Sequence, residues 1–498
     1  MIEPTVLSHA PRRGERFEIA ITRLGESGEG EAELPSLLGP QRAERTFVFA
    51  VRKAMVGDRV VAEVERRRGP LISARLAEVV TPSPHRVEAR CAHFGRREDP
   101  GRGCGGCTLQ ALDYPAQLAA KRDLVQRAMV GQGVDPRLVA APIGCARPWR
   151  YRNKMEFSFG DDPERDLAVG LYRTGWRNEV LPLSECHLVS EAAASLVPRA
   201  RAWAETLGVA PFKPRRGQGA LRQLTVREGK RTDERLVELV TTSDPVIDTA
   251  EGPRAASEVA RSFSEMIETT GLATSVYWTQ HHAARGERSR LITHHLSGAE
   301  VYHEELELPD GRRLRFAIHP RAFFQPNPRQ AEVLYATALA KLGPDPKLVL
   351  DLYCGTGTLA LFAAPFVDQV VGVELVADAI ENARANAEAN GISNVRWQVG
   401  DVGEVLTDPA EAGLLANADA VMVDPPRAGL SPRALAQLVS LRPKRIVYVS
   451  CRPTSLARDL ARLIEGGYAI EGGVQPVDMF PHTPHVESVV ALVRQEGP

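Results

Sequence analysis

KLVLDLYCGTGTL, residues 347–359, reads as one buried strand running into a glycine turn and a helix start. A short apolar run closed by small and polar residues is the pattern of a strand covered on both faces. The pattern returns at QVVGVEL (369–375), VRWQVGD (395–401), DAVMVDPP (419–426) and RIVYVSC (445–451), with helical segments such as ADAIENARANAEANG (377–391) between them. Such alternation predicts a doubly wound, mostly parallel sheet, whose ligands bind beyond the carboxyl ends of its strands. The expected fold class is therefore α/β, with a Rossmann-like domain over residues 315–498.

The strand ends supply the candidate site. Asp351-Leu-Tyr353-Cys-Gly355-Thr-Gly357-Thr358 closes the first strand, and its glycines let backbone approach a ligand closely. Glu374 ends the second, 17 positions after Gly357, close to the roughly 20 of nucleotide-binding βαβ units. Its carboxylate suits both ribose hydroxyls of an adenosine. The loop has neither the GxGxxG of a dinucleotide site nor the GK[ST] of a phosphate loop. An adenosine cofactor without phosphates fits better, which describes S-adenosyl-L-methionine; a structural tight turn is the competing reading. Asp401 ends the third strand, either within reach of the adenine or as an ordinary loop aspartate. Asp424-Pro-Pro-Arg427 and Ser450-Cys451-Arg452-Pro453 end the next two. A cysteine there, ahead of a helix start and near arginines, is expected to have its thiolate stabilised by the helix dipole. Taken alone, Cys451 also reads as a buried structural thiol.

Working outward, 498 residues predict two to four domains. With 43% hydrophobic and 25% charged residues, the composition is that of a soluble globular chain. No apolar run approaches the roughly 20 residues of a membrane helix, and MIEPTVLSHAPRRGERF lacks a signal-peptide core, so a cytoplasmic location and no membrane partner are expected. The net charge of -1 excludes a uniformly basic nucleic-acid coat. An RNA partner must be met by local patches, with Arg66-Arg67-Arg68, Arg150 to Lys154 and Lys213 to Arg216 as candidates, each equally readable as a solvated face.

Residues 14–78 read as short strands (FEIAITRL, RTFVFAV, DRVVAEVERR, LISARLAEVV) separated by Gly- and Pro-containing turns, the pattern of a small barrel expected over 10–80. TPSPH (81–85) marks a boundary. Residues 81–314 mix a helix at ALDYPAQLAAKRDLVQRAMV (111–130), strands at KMEFSF, AVGLYR and ERLVELVTT, and a helix over 254–271, giving an α+β central domain. Three of seven cysteines fall within 17 residues, and with Cys186 they make Cys91, Cys104, Cys107 and Cys186 a candidate metal or cluster site. In a reducing compartment this is the better reading than disulfides.

VDPPRAGL (423–430), VSCRPTSLARDL (449–460), MFPHTPHVESV (479–489), FFQPN (323–327) and DLYCGTGTL (351–359) together resemble the uridine-5 RNA methyltransferase family, in motif order and spacing. The resemblance covers most of the chain. It implies transfer of a methyl group from S-adenosyl-L-methionine to carbon 5 of a uridine, with Cys451 as nucleophile and Glu487 as base. Carbon 5 is a poor nucleophile until a thiolate adds to carbon 6, and a base must then remove the carbon 5 proton. Glu487 is expected beside Cys451 if the last strand runs antiparallel to the Cys451 strand; by itself it reads as a carboxylate at a strand start. The same resemblance implies contacts from Gln325, Tyr353, Glu374 and Asp424 to cofactor or uracil. Thr358 stands where relatives often carry Asn. Arg427 replaces the aromatic residue that follows the prolines in adenine methylases, which weakens that alternative.

The resemblance further implies a 4Fe–4S cluster on Cys91, Cys104, Cys107 and Cys186, with a tetrahedral zinc site as the alternative. The 12 residues between Cys91 and Cys104 exceed the family's usual spacing, so HFGRREDPGRG reads as an inserted loop. Cys145 and Cys354 match no ligand position and are expected to be packed thiols. The barrel resembles an OB-like TRAM module, an RNA-binding unit of RNA-modifying enzymes, with Phe47 and Phe49 as candidate stacking residues, at least one of them in the core. Within the family that the chain resembles, such a barrel together with four cluster cysteines implies ribosomal RNA, 23S foremost, with transfer RNA as the alternative. A radical methylthiotransferase would need a CxxxCxxC triad, which is missing. A non-catalytic RNA-binding protein would not need Cys451, Glu487 and Gln325.

Overall fold

The computed structural model describes residues 7–495 apart from 39–42, 163–164, 177, 284–285, 288 and 409–416. Near the N-terminus a six-stranded sheet, in the order Arg16–Ala20, Arg59–Arg68, Leu71–Thr81, Ala43–Arg52, Gly30–Leu38, Arg23–Leu24, wraps one apolar core. Alternating residues such as Val60, Ala62 and Val64 point into that core, which is why a two-residue period was legible there. Phe47 and Phe49 are both buried, at 4% and 0% exposure, so the expected stacking role is corrected for both: each fills the core.

A second sheet of seven strands follows, ordered Arg290–Gly298, Ser275–His282, Arg235–Thr242, Leu221–Glu228, Lys154–Asp162, Arg165–Tyr172, Val180–Pro182. Helices Glu191–Leu207 and Ala256–Thr270 bury their apolar faces on it. The hairpin Tyr302–Glu307 and Arg313–Ile318 straddles the expected boundary at 314 and packs Tyr302, Leu306, Phe316 and Ile318 into the C-terminal core.

The third sheet has the order Val395–Val399, Gln369–Glu374, Leu348–Leu352, Ala420–Val423, Arg445–Ser450, Glu487–Arg494, Tyr468–Val477. Its first five strands are parallel and Glu487–Arg494 is antiparallel to Arg445–Ser450, as expected. Both faces are covered, so the strands are apolar throughout rather than alternating. Helices Pro328–Leu339 and Ala377–Ala389 cover one face. Helices Pro432–Leu441 and Pro453–Glu465 cover the other, joined by Tyr114–Val130, which buries Leu124, Val125 and Met129 against Leu456 and Leu460. Proline in the first turn starts several of these helices, and Asn327 and Ser431 accept the amides of Gln330 and Ala434. Among the described residues no helix is long and apolar enough to cross a membrane.

Candidate active site

Every predicted strand-end residue lies on the carboxyl edge of the third sheet. The first strand turns at Tyr353, whose φ of 67° is unusual for a non-glycine, and continues through Gly355 and Gly357 at φ 55° and 75°. A Cβ on Gly357 would stand 2.3 Å from the Trp397 ring, so this position needs both the conformational freedom and the missing side chain of glycine. Glu374 accepts the Gly355 amide at 3.1 Å and the Val376 amide at 3.0 Å, which fixes the carboxylate at the loop and leaves lone pairs for a ligand. Asp401 is exposed and its negative charge helps push the Tyr353 phenol up to about 12, after burial as the larger cause. Thr358 is buried with its hydroxyl 3.3 Å from that of Thr356, which donates to the Phe323 carbonyl. The glycine loop is thus tied to the FFQPN segment, where Asn153 donates to the Gln325 carbonyl at 3.0 Å.

The reacting side is built from the next strand ends. Ser450 pairs with Ser488 in the antiparallel register, so Cys451 and Glu487 are the next residues outward on adjacent strands. Glu487 is 5% exposed, and its carboxyl makes no hydrogen bond among the described residues. Burial first, then the negative charge of Asp424, raises it to about 8, while Arg427 opposes this. Burial likewise raises Asp424 to about 7. The Cys451 thiol is pushed up to about 11 by burial and by Glu487 and Asp424, again against Arg427. Against the expected stabilisation of the thiolate, burial and the two carboxyls act upward on this thiol. Arg452 does not assist, since it pairs with Glu26 of the N-terminal sheet at 3.2 Å. Burial raises the Tyr335 phenol, and the charges of Asp424, Asp351 and Glu487 add to it, so Tyr335 shares the buried electrostatic setting of both halves of the site.

Two members of the site were not singled out from sequence. Asp351 is buried, and beyond the nearby Ala360 amide its two oxygens have no hydrogen-bond partner among the described residues. A buried carboxylate in that condition is satisfied by a cationic or hydrogen-bonding ligand, and S-adenosyl-L-methionine carries both an ammonium and a sulfonium. Tyr335 sits inside helix Pro328–Leu339 and reads as a core aromatic; only its neighbours reveal it.

Away from this edge, Cys91, Cys104, Cys107 and Cys186 line one enclosed pocket with Phe94, Gln110 and Leu188. The inserted loop folds back, with the Cys104 amide on the His93 carbonyl at 3.0 Å, and keeps the two ends together. Burial raises all four thiols, Cys91 to about 11 and Cys107 to about 12, and their mutual repulsion adds to it. Among the described residues no three His, Cys, Asp or Glu side chains are arranged to hold a metal ion. Cys145 and Cys354 are buried thiols, as expected.

An orphaned carboxylate and a glycine turn on a doubly wound sheet define an S-adenosyl-L-methionine-dependent methyltransferase. The tRNA (uracil-5-)-methyltransferase family model matches residues 283–495. An uncharacterized RNA methyltransferase of Protochlamydia amoebophila is 37% identical over 444 residues, 88% of this chain and 98% of the relative. One of Bacillus cereus is 34% identical over 487 residues, 97% of each. The tRNA (uracil-54, C5)-methyltransferase of Pyrococcus abyssi, solved with S-adenosyl-L-homocysteine, superposes with a TM-score of 0.70 at 27% identity, covering 96% of this chain and 100% of that one. The chain belongs to the RNA (uracil-5-)-methyltransferase family and is an S-adenosyl-L-methionine-dependent enzyme acting on RNA.

Proposed function

We propose that the enzyme methylates a uridine of 23S ribosomal RNA, with Cys451 as nucleophile and Glu487 as base. The observation that carries the assignment of roles is the placement of Cys451, one residue past the end of its strand, next to Glu487 at the start of the adjacent antiparallel strand, with the Glu487 carboxyl acting on the Cys451 thiol. When bound, S-adenosyl-L-methionine supplies the methyl group. Gln325, Tyr353, Thr358, Glu374, Asp401 and Asp424 hold the cofactor or the target uracil. The Cys451 proton passes to Asp424, whose carboxyl burial raises to about 7, which leaves Glu487 free to act as the base. The thiolate adds to carbon 6, and carbon 5, now nucleophilic, accepts the methyl group while still carrying its proton. Glu487 then takes the carbon 5 proton, the ring double bond reforms, and sulfur leaves with its electron pair. The half-buried sulfur can reach only a base that has left its stack, so the uridine is flipped out.

The RNA around the target is met by the second sheet. A cavity of about 930 Å³ there is lined by Lys154, Lys213, Arg215, Arg216, Arg222 and Arg321, which takes in the expected Lys213 to Arg216 patch and, of the Arg150 to Lys154 patch, Lys154. Lys154 and Lys213 are paired with Glu156 and Asp161, whereas Arg215, Arg216, Arg222 and Arg321 have no carboxylate partner among the described residues. The N-terminal barrel extends this surface as a TRAM-like module. We assign the cysteine pocket to a 4Fe–4S cluster, because four thiols on one enclosed pocket fit its donor set. Iron and sulfide analysis should find about four of each per chain, lost in Cys107→Ser.

A transfer RNA substrate is the second reading, favoured by the substrate named for the Pyrococcus abyssi neighbour. Incubation with labelled methyl donor and 23S rRNA or tRNA transcripts decides between them. The proposal expects label in 23S rRNA as 5-methyluridine and none with Cys451→Ala. Label in tRNA alone replaces the substrate; transfer by Cys451→Ala refutes the chemistry.

A further inference from the structure

Residues 478–485, Asp-Met-Phe-Pro-His-Thr-Pro-His, link strand Tyr468–Val477 to the strand that begins at Glu487. Such a connection would ordinarily be a surface turn. Here Asp478 and Met479 are fully buried, and His482 is buried in a left-handed conformation at φ 67°, which persists only where surroundings impose it.

Three distant stretches of chain grip it. The amides of Thr108 and Leu109, directly after Cys107, both donate to the His482 carbonyl, at 2.9 and 3.0 Å. Helix Tyr114–Val130 supplies Gln117, which accepts the His482 amide at 3.0 Å, and Lys121, which pairs with Asp478 at 2.5 Å with neither side chain exposed. The same helix supplies Tyr114, whose hydroxyl donates to Asp478 at 2.7 Å. Lys121 also donates to the Phe480 carbonyl at 3.1 Å. From a third direction the Trp149 ring stacks on that of His482 at 3.7 Å, and Tyr151 donates to the Pro481 carbonyl.

The backbone of Glu487 is set in register opposite Val477, the residue that precedes Asp478, but its carboxyl has no hydrogen-bond partner among the described residues, and Cys451 lies past the end of its own strand. The direction of the carboxyl therefore depends on how the Val477–Glu487 end of the ladder is held. We propose that Tyr114, Lys121 and Asp478, together with the Thr108 and Leu109 amides on His482, are positioning groups that hold Glu487 at the carbon 5 proton. This rests on Glu487 being the base. The step it serves is the last one: the proton passes to Glu487, the C–H pair becomes the ring double bond, and the C–S pair returns to Cys451. The arrangement also ties the cysteine pocket to the chemistry, because one of its ligand candidates, Cys107, is adjacent in sequence to Thr108.

The test uses the full enzyme with substrate transcript and labelled methyl donor. The variants are Tyr114→Phe, which removes one hydroxyl, and Lys121→Met/Asp478→Asn, which removes the pair without leaving a lone buried charge. Glu487→Gln and Cys451→Ala serve as controls. A displaced base slows elimination but not attack, so kcat falls about 10- to 100-fold, KM for the methyl donor stays put, and a methylated, denaturation-resistant protein–RNA adduct accumulates as it does in Glu487→Gln. A merely structural role lowers adduct and turnover together, in proportion to folded protein. If Glu487→Gln accumulates adduct and neither clamp variant does, the inference is wrong. If Glu487→Gln accumulates none, the base assignment fails and this inference with it.

Discussion

Glu487→Gln should change how stability responds to pH, and the size of the change follows from burial. The carboxyl is raised from 4.5 to about 8 in the folded enzyme. A group with a raised folded value binds its proton more tightly when folded. Its contribution is therefore fully present below 4.5 and is lost as pH rises through about 8. Between pH 6 and 9 the linkage relation gives a loss of about 2.5 kcal/mol for this one carboxyl. The amide in its place does not titrate, so the variant escapes that loss. Asp351 and Asp424 are shifted the same way but are present in both proteins, and they cancel in the difference. Thermal melts of ligand-free enzyme at pH 6 and pH 9, for wild type and variant, measure it. The variant's advantage should grow by roughly 5–10 °C in Tm across that window for a domain of this size. Parallel losses in the two proteins would show that Glu487 is not a buried acid, and the base role given to it would fall.

Gly357→Ala should lower stability by about 2–5 kcal/mol, from left-handed backbone strain and the clash with Trp397, and calorimetry should show weakened binding of the methyl donor. Lys121→Met alone should cost about 3–5 kcal/mol in denaturant unfolding because Asp478 is left charged and buried, whereas Lys121→Met/Asp478→Asn should recover most of it. Replacing Arg222 or Arg321 by Gln should weaken RNA binding and reduce the slope of log Kd against log salt by about 1 per contact, with the KM for S-adenosyl-L-methionine unchanged; an unaltered slope would remove the cavity from the RNA path.

Much of the site was legible because the sheet is doubly wound. Parallel strands covered on both faces read as apolar runs, and whatever ends them lies at the ligand edge, which marked Glu374, Asp401, Asp424 and Cys451 as positions, while the contact from Tyr353 and the role of Cys451 needed the family motifs. Glu487 needed the antiparallel register, and its role needed the family motif. What remained hidden depends on partners far away in sequence. Lys121 looks like any solvated lysine on an Ala-rich helix, yet its fully buried partner Asp478 is 357 residues on. Asp351 reads as one polar residue in an apolar strand, and only its lack of partners shows a ligand position. The helix start beside Cys451 is visible in sequence, whereas the carboxyls of Glu487 and Asp424 that act on its thiol converge only in the fold. Phe47 and Phe49 alternate with Val48 on a strand paired on both sides, and only the barrel core shows both rings turned inward.

The most direct measurement is mass spectrometry of the species trapped by Glu487→Gln with substrate RNA and S-adenosyl-L-methionine, after digestion of both polymers. The account predicts one peptide, containing Cys451, that carries a methylated uridine nucleotide on sulfur. A nucleotide on any other residue, or full turnover by this variant with Cys451 unmodified throughout, would contradict it.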